Sequence, residues 1–518
     1  ANAHPSRSQV VHPYPPPAVI TPLLFLAAIL AAPKPADVAK PAAAADGWDK
    51  AFEISKVEVP AGIDDQVGGL AFLDDGRLAV AFHRGEVFIR QADGTWKQFA
   101  EGLHEPLGLL PDGQGALIVM QRPELTRLED TNGDGKADRY RTLWDGFGMT
   151  GNYHEFAFGP ARGPDGALYI GLNLASSGAG IFKEIRGTWS EIGKATRENL
   201  AAGKTGSAGR MYGRVPYRGC ILRIADNGRG PTELFATGFR SPDGIGFDAK
   251  GHLLVNDNQG DWRGSSPLQV VTKGSFNGHP ASLVWTPGWN KGEPLALPVP
   301  ELEKLRTQPG GVFIQGELSN SPTQPAVFPA SWGALAGQVV FGEMNAARLV
   351  RFVGEDVGGV HQGAMIPFLD TKALRNGNHR LAFAPDGALH VGKTHLSWAG
   401  NNGIVRIPAP KALPPLIESV HLTAKGFEVR FTAALDKASL APALRSFRYK
   451  YHSTYGSPKV DELPLESAWS LSADGKLLTL PLKDIREGFV HEIKLAGAKS
   501  TDGRELLGPI AYYQVVKR

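Results

Sequence analysis

One short pattern recurs along the chain and restricts its fold more than any other feature. An apolar stretch runs into an Asp-Gly-type turn and continues as a second alternating stretch, starting near residues 69, 107, 156, 244 and 381. Asp-Gly tolerates the positive φ of a tight hairpin turn, and the alternation gives each strand one buried face. The turn glycines Gly76 and Gly113 are 37 residues apart, which is close to the repeat length of β-propeller blades.

Five such hairpins, with a sixth apolar pair at 339–352 that lacks the turn signature, predict six blades within residues 46–408. A seventh blade, partly formed by 182–224, is the alternative. The proline-rich stretch 409–415 predicts an extended linker. Beyond it, turn signals at intervals of about ten residues predict an Ig-like β-sandwich over 416–518. The predicted fold class is therefore all-β, a six-bladed β-propeller followed by a C-terminal Ig-like β-sandwich.

The balance of charges argues against a nucleic-acid partner. The 55 basic side chains exceed the 52 acidic ones by only three, and no basic run concentrates them. Cys220 is the only cysteine, which excludes an internal disulfide, a Cys-ligated iron–sulfur cluster and covalent c-type haem within the chain. Its alternating apolar surroundings predict that this thiol is buried in a strand.

Residues 1–45 have the pattern of an export signal. Arg7 precedes a 15-residue apolar run, 18–32, which Pro22 interrupts. A membrane-spanning helix needs about 20 apolar residues, whereas the apolar region of a signal peptide is shorter. Three alanines at 43–45 then offer an A-x-A-like cleavage site. We expect a signal peptide, with an uncleaved anchor as the alternative, and hence a periplasmic or secreted protein without a stable membrane span after cleavage.

Residues 130–138 carry oxygen-bearing side chains at the spacing of a calcium-binding loop. Positions 1, 3, 5 and 9 of that loop are Asp130, Asn132, Asp134 and Asp138. Lys136, at position 7, would offer its carbonyl oxygen, whereas Arg141 stands where an EF-hand has its twelfth-position acid. We expect Asp138 to close a short structural calcium site. A solvated acidic turn is the alternative.

Two regions resemble the glucose/sorbosone dehydrogenases. In that family a catalytic histidine stands just before a GPDG-type hairpin, and here His154 precedes GPDGALY at 163–169. The later segments GFRSPDG, NDNQGD and KGSFNGHP are similar to the family's R-N-P-x-G segment, its acidic Q-G loop and its G-x-N-Y-G-W-P turn; they lie at 238–244, 256–261 and 273–280. The resemblance covers residues 52–408 and looks closest to secreted dehydrogenases of planctomycete-type bacteria.

The resemblance implies pyrroloquinoline quinone (PQQ) as cofactor, held with calcium over the central channel. A quinone that bears carboxylates needs cationic groups, an apolar surface and a metal that polarises its carbonyl. By resemblance, His154 is the catalytic base that removes a hydroxyl proton. The residues implied in cofactor binding are Arg240, Asp243, Gln259, Asp261, Arg348, Arg380 and Lys393. Gln259, Gly260 and Asp261 would also offer oxygen ligands to calcium.

The sequence departs from the family pattern at three places. Ser241 stands where asparagine is usual, and Asn345 stands where a lysine is expected. Of a pair of arginines expected near 378–380, only Arg380 is present. We expect Arg348 and Lys393 to supply the missing positive charge.

These features predict an exported PQQ-dependent dehydrogenase that oxidises a sugar or sugar-like alcohol by hydride transfer and passes electrons to a c-type cytochrome or another acceptor. A calcium-dependent lactonase or other hydrolase is one alternative. A non-catalytic propeller that binds glycans or proteins is another. Because six-bladed propellers support all three, the fold alone does not decide among them.

Overall fold

Antiparallel strands form most of the regular structure in the computed structural model, which describes residues 47–176, 184–190, 211–396 and 400–518. Within these ranges, six four-stranded units follow one another along the chain, each starting with a hairpin. We call them blades 1 to 6. The predicted signal segment 1–45 lies outside the described residues, among which no helix has the length and hydropathy of a membrane span.

The first three blades each consist of four strands that are consecutive in hydrogen-bonded order. Blade 1 contains β2 (Val67–Phe72), β3 (Leu78–Phe82), β4 (Val87–Arg90) and β5 (Trp96–Ala100). Blade 2 contains β6 (Leu109–Pro111), β7 (Leu117–Met120), β8 (Leu125–Glu129) and β9 (Arg139–Trp144). Blade 3 contains β11 (Ala157–Arg162), β12 (Leu168–Leu172), β16 (Cys220–Ile224) and β17 (Thr232–Thr237).

Blade 4 contains β18 (Gly244–Phe247), β19 (Leu253–Asn256), β20 (Ser266–Val271) and β21 (Gly311–Phe313). Blade 5 contains β22 (Pro322–Val327), β23 (Val339–Glu343), β24 (Leu349–Val357) and β25 (Val360–Phe368). Blade 6 contains β26 (Asn378–Phe383), β27 (Leu389–Lys393), β28 (Gly403–Ile407) and β1 (Ser55–Val57). Blade 6 thus combines strands from both ends of the repeat region, since β1 pairs with β28.

Shorter elements lie between the blades. Two two-stranded ribbons pair β10 (Met149–Thr150) with β14 (Glu184–Arg186) and β13 (Ala175–Ser176) with β15 (Met211–Tyr212). The α-helical segments are α1 (Gly47–Ala51), α2 (Ala225–Gly228) and α3 (Val299–Leu305). Short 3-10 segments span Pro280–Trp285, Pro294–Ala296, Ala330–Leu335, Lys372–Leu374 and Lys437–Ser439.

The first strands of the blades contact one another in cyclic order. β2 contacts β6, followed by β11, β18, β22 and β26, and β26 contacts β2 again. Apolar layers separate neighbouring blades, such as Ala79 and Ala81 of blade 1 against Leu117 and Val119 of blade 2. This cyclic order is the one expected of the predicted six-bladed β-propeller, and the all-β fold class is confirmed. The predicted burial of Cys220 is also confirmed, in β16.

The hairpin turns account for the repeated sequence pattern. In the turn between β2 and β3, the Gly76 N–H donates to the carbonyl of Leu73 at 2.9 Å, and Gly76 has a φ of 84°. Blade 5 lacks the Asp-Gly signature because a 3-10 segment joins β22 to β23. Its Trp332 is buried, and the indole N–H donates to the carbonyl of Gly387 in blade 6.

The C-terminal residues form two sheets that enclose an apolar core. One sheet contains β29 (Ile417–Thr423), β30 (Gly426–Phe431), β34 (Leu477–Pro481) and β33 (Ser470–Leu471). The other contains β36 (Ile510–Val515), β35 (Phe489–Lys494), β31 (Ala443–Tyr449) and β32 (Lys459–Leu465), and it continues the sheet of blade 5 through pairing of β25 with β36.

The C-terminal core is shared with the fifth blade. Val353, Ala364 and Ile366 of blade 5 belong to the same apolar cluster as the C-terminal strands. In the predicted linker 409–415, Leu413 packs against the core of blades 5 and 6. The domain boundary and the Ig-like topology stay predictions, but the common sheet makes the C-terminal part structurally continuous with blade 5.

Glycines allow the inner strands to approach closely, and Gly108 gives a test of this packing. A methyl group at Gly108 would overlap the backbone carbonyl of Gly159 in blade 3. We expect Gly108→Ala to lower the free energy of unfolding by about 3 kcal/mol or more, the upper end for overpacked interiors. Urea unfolding followed by circular dichroism measures it. Gly171→Ala is the control, since its nearest new contact is 3.2 Å away; equal losses in the two variants would contradict this account.

Candidate functional site

In each blade, one loop leads into the first strand and another loop leaves the second strand. These loops meet at one end of the ring. There they surround a cavity of about 180 Å³. Its walls include residues that come from all six blades, because each blade brings the same two strand ends to this place. The loop of the C-terminal part that carries Tyr455 also lines it. Among the predicted site residues, His154, Arg240, Asp243 and Gln259 lie in this wall.

The imidazole of His154 lies on the loop between β10 and β11. Its Nδ1 is 2.9 Å from the carbonyl oxygen of Leu174. Because a carbonyl oxygen only accepts hydrogen bonds, Nδ1 carries the proton in the neutral ring and Nε2 carries the lone pair. The ring of Phe156 lies 6.0 Å away, centre to centre, on the cavity side. The geometry gives His154 the tautomer that a general base acting through Nε2 needs.

Arg122 in blade 2 holds the loop that carries His154. Its guanidinium donates to the backbone carbonyls of Asn152 and Tyr153 and pairs with Glu105 at 2.6 Å. The side-chain oxygen of Asn152 in turn accepts the backbone N–H of His154 at 3.1 Å. Arg122 therefore acts as a positioning residue, and no sequence motif had singled it out.

Arg240 brings a nearly buried positive charge to the cavity wall. The residue is 7% exposed, and its guanidinium donates no hydrogen bond to any described residue. The nearest carboxylate oxygen, Oδ1 of Asp261, is 3.6 Å from Nε. Its Cζ lies 5.7 Å from the centre of the Tyr455 ring, a cation–π distance. A buried guanidinium with unused donors is suited to bind an anion bidentately.

Asp257 fixes the backbone around Arg240. Its two carboxylate oxygens accept the backbone N–H groups of Arg240 at 2.8 Å and Ser241 at 2.6 Å. It also pairs with the buried Arg263 at 2.9 Å. Ser241, which stands where the family pattern has asparagine, accepts a hydrogen bond at its hydroxyl from the amide of Asn173. The loop is therefore rigid although it is irregular.

Asp261, predicted to bind cofactor or metal, lies behind Arg240 and outside the cavity wall. Its Oδ2 is 3.2 Å from Nε2 of the buried His279 and accepts the backbone N–H of Met211. Burial alone would raise the pKa of Asp261, but His279 and Arg240 outweigh it and hold the pKa below its ordinary value. An ionised Asp261 offsets part of the charge of Arg240.

Asp243 and His379 line the floor of the cavity, and Arg380 lies directly below them. Oδ1 of Asp243 lies 3.2 Å from Nη1 of Arg380 and 3.3 Å from Nε2 of His379. Burial favours the neutral acid, yet these two neighbours hold the pKa of Asp243 below its ordinary value. Arg380 also donates to the carbonyls of Gly68 and Leu107. It therefore connects blades below the cavity and does not itself line the wall.

His83 adds a further imidazole to the wall. Burial lowers the pKa of His83 to about 4, with Glu105 opposing this shift and the neighbouring His379 reinforcing it. At neutral pH its ring is therefore uncharged. The cavity thus offers three imidazoles, those of His83, His154 and His379, beside one guanidinium.

The structure places Arg348 and Lys393 away from the cavity wall. Arg348 pairs with Asp370 at 3.0 Å and donates to the carbonyl of Glu317. Lys393 is fully buried and donates to the side-chain oxygen of Asn378 and to two backbone carbonyls. Neither lines the cavity wall, and their compensation for Asn345 stays a prediction.

Gln259 and Gly260 follow β19 at the rim. The amide of Gln259 donates to the carbonyl of Gly264 at 3.0 Å. Gly260 must be glycine, since a methyl group there would overlap the guanidinium of Arg240. The carbonyl of Gly260 accepts the backbone N–H of Gly456 at 2.9 Å, so the C-terminal loop is fastened to the rim beside Tyr455.

The predicted calcium loop, 130–138, joins β8 to β9 far from the cavity and is exposed. Its side chains accept backbone N–H groups of the loop itself. Asp130 accepts from Gly133 and Gly135, and Asp138 accepts from Thr131. The side chain of Asn132 accepts the backbone N–H of Asp134, and the side chain of Asp134 accepts that of Lys136.

The polar end that the six hairpins share was not recognised from the sequence as a site, although a signal was present. Each second strand of a blade runs from buried apolar residues directly into buried or half-buried polar ones. The residues at these strand ends are His83, Gln121, Asn173, Asp257, Glu343 and Lys393. An abrupt change from apolar to polar at the same point of all six hairpins indicates one shared polar end.

One family model matches part of the chain. A family described as a domain of unknown function (DUF7133) matches residues 91–214. No curated protein sequence matches the chain. The PQQ-bound aldose sugar dehydrogenase of Streptomyces coelicolor is 16% identical, with a TM-score of 0.46 over 69% of this chain and 98% of that one.

Two further solved structures are similar at the same level. The soluble aldose sugar dehydrogenase of Escherichia coli is 14% identical, with a TM-score of 0.44 over 69% of this chain and 99% of that one. A protein assigned as a gluconolactonase is 14% identical, with a TM-score of 0.39 over 69% of this chain and 92% of that one. At these identities and TM-scores, the likenesses establish neither an activity nor a cofactor.

The burial of Lys393 predicts a pH-dependent stability. Burial, reinforced by Arg375, lowers the pKa of Lys393 from 10.5 to about 7. Between these values the unfolded chain binds the proton that the folded chain lacks, so this group makes stability rise with pH from about 7 to 10.5. We expect Lys393→Met to remove that rise in urea unfolding. Lys437→Met, an exposed lysine, is the control; identical slopes for wild type and Lys393→Met would contradict the assignment.

Proposed function

We propose that the chain is a dehydrogenase that uses PQQ to oxidise a hydroxyl group of a sugar or sugar-like alcohol. The observation that carries this proposal is the guanidinium of Arg240, which is nearly buried, makes no hydrogen bond to a described residue and lines the same cavity as the imidazole of His154. One group suits an anionic ligand and the other suits proton transfer.

The residues of the cavity fit a flat anionic cofactor. Arg240 would hold a carboxylate. Further polar contacts would come from the nearby Ser241 and from the side-chain oxygen of Asn258, which is buried and has no hydrogen bond. Tyr455, Phe156 and Phe158 supply apolar surface. When bound there, the quinone would supply the hydride acceptor.

His154 would take the proton of the reacting hydroxyl. The carbonyl of Leu174 holds its Nδ1–H, so the lone pair of Nε2 would receive the hydroxyl proton while the carbon that bears this hydroxyl loses a hydride. Arg122 keeps this loop in place through the carbonyls of Asn152 and Tyr153. Leu107, Phe156 and Phe158 line the same cavity with apolar surface, which would reduce the access of water to the reacting atoms.

A calcium-dependent hydrolase is less well supported by this cavity. Such an enzyme needs several oxygen ligands, preferably carboxylates, around its ion. Asp243 is the one acidic residue among the described residues of the wall, and it already pairs with His379 and Arg380.

We also propose that the protein is exported through the segment 1–45 and passes electrons to a c-type cytochrome or another acceptor.

Variants of His154 and Arg240 test the proposal. With PQQ, calcium and an artificial electron acceptor, we expect His154→Ala to reduce aldose oxidation by at least about 100-fold, the usual contribution of a general base. Its affinity for PQQ, measured by absorbance titration, should change little. Arg240→Ala should instead weaken PQQ binding, because a charge-assisted pair is lost.

The matched control is His421→Ala, which removes a half-exposed histidine paired with Glu355 in the C-terminal region. It should leave both measurements unchanged. Full activity in His154→Ala would refute the assigned base. Failure of the wild type to bind PQQ would refute the dehydrogenase, and lactone hydrolysis without any electron acceptor would then support the hydrolase.

We further propose that the loop 130–138 binds a structural calcium ion through Asp130, Asn132, Asp134, Asp138 and the carbonyl of Lys136. Bound calcium favours the folded state by mass action, so a chelator should lower the melting temperature of the wild type. Asp134→Ala should lose this sensitivity. Equal melting temperatures of the wild type with and without chelator would rule the site out.

A further inference from the structure

A second cluster of titratable side chains lies at the other end of blade 4. Asp248 and His252 belong to the turn between β18 and β19, whereas the cavity lies at the opposite ends of these two strands. His361 lies in β25 of blade 5. Among the described residues, these three form the one group of His, Cys, Asp or Glu whose ligand atoms all lie within 4.8 Å of one another.

His361 points an unpartnered nitrogen into this cluster. Its Nδ1 is 2.7 Å from Oδ1 of Asp356, which only accepts, so Nδ1 carries a proton. Its Nε2 is buried and has no hydrogen-bond partner, although Oδ2 of Asp248 is 3.3 Å away. With Nδ1 protonated, the lone pair of Nε2 in the uncharged ring faces a carboxylate oxygen, which is unfavourable unless a proton or a metal cation lies between them.

His252 completes a nearly symmetrical arrangement. Its ring stacks on that of His361 with 4.0 Å between centres. Nδ1 of His252 is 2.8 Å from Oδ2 of Asp248, and Nε2 is 3.6 Å from Oδ1 of Asp356. Each imidazole therefore has one nitrogen at Asp248 and the other at Asp356.

The remaining oxygens of the two carboxylates are already engaged. Oδ1 of Asp248 accepts the backbone N–H groups of Lys250 and His252. Oδ2 of Asp356 pairs with the ammonium group of Lys250 at 2.8 Å. One oxygen of each carboxylate is thus left to face the two rings, and Lys250 balances the charge of Asp356 alone.

We propose that Asp248, His252 and His361 bind a divalent transition-metal ion of the zinc type, with Asp356 holding the rings from outside. Two nitrogens and one carboxylate oxygen are a usual zinc ligand set, with water as the fourth ligand. A carboxylate behind a ligating histidine is the usual second partner of such sites.

One of the ligand separations already matches this ion. Ligand bonds of about 2.0–2.2 Å in a tetrahedron separate the ligand atoms by about 3.3 Å. Nε2 of His361 and Oδ2 of Asp248 have a separation of 3.3 Å. The 2.8 Å separation between Nδ1 of His252 and Oδ2 of Asp248 would have to lengthen, and the proton of His252 would move from Nδ1 to Nε2, where Asp356 would accept it. The bound ion joins the inner hairpin of blade 4 to the outer hairpin of blade 5.

The test uses the full chain, stripped with a chelator and titrated with Zn²⁺ alone by calorimetry. We expect the wild type to bind one equivalent that both His252→Gln and Asp248→Asn lose. His252 is 31% exposed at its side chain, so its replacement leaves the core intact. Asp356→Asn should still bind one equivalent of Zn²⁺, but with an affinity about 10- to 100-fold lower, as loss of an outer partner of a ligand causes.

His421→Gln is the matched control and should keep the equivalent, because it removes a histidine–carboxylate pair elsewhere. Co²⁺ gives a second readout, since a tetrahedral site produces visible d–d bands that the His252 variant should lack. Asp248→Asn retains a side-chain oxygen that can accept the backbone N–H groups of the turn. This variant replaces His252→Gln in the test if the histidine variant does not fold. Equal Zn²⁺ stoichiometry in the wild type, His252→Gln and Asp248→Asn, or no binding by the wild type, would overturn the proposal.

Discussion

The guanidinium of Arg380 lies below the cavity and connects four of the six blades. It belongs to blade 6, donates to carbonyls of Gly68 in blade 1 and Leu107 at the start of blade 2, and pairs with Asp243 at the start of blade 4. Burial of this charge costs free energy and lowers the pKa of Arg380, and the carboxylate and carbonyl partners offset that cost. Because Asp243 also lies beside His379, the contact that joins the blades also forms the floor of the cavity.

Buried charges in this protein have two distinct roles. Asp257 and Glu343 are saturated with hydrogen bonds from neighbouring loops; Glu343 accepts the hydroxyl of Ser319 and four backbone N–H groups. Such groups fix irregular loops, so that side chains on them keep their positions. The backbone of Arg240 is held by Asp257, whereas its guanidinium donates no hydrogen bond to a described residue. The difference between saturated and unsaturated charges separates the scaffold from the group that is available to a ligand.

Blade 4 serves both ends of the ring. Its first two strands begin and end at the cavity, while the turn between them carries Asp248 and His252 towards His361 of blade 5. The C-terminal part also takes part in two places, since β36 extends the sheet of blade 5 and Tyr455 lines the cavity. The ring and the C-terminal part therefore depend on each other structurally, although their sequences read as separate regions.

The sequence by itself determined the all-β class, the six hairpins and the burial of Cys220. It also placed His154 and Arg240 on the loops before first strands. All of these follow from period-two alternation and turn chemistry, which are local properties of the chain. It did not determine that Arg348, Arg380 and Lys393 lie outside the cavity wall, or that His83 and His379 lie within it. Those outcomes depend on which blades adjoin and on what each long side chain meets across the ring. The grouping of Asp248, His252 and His361 likewise joins two blades through tertiary packing, which alternation along one strand does not encode.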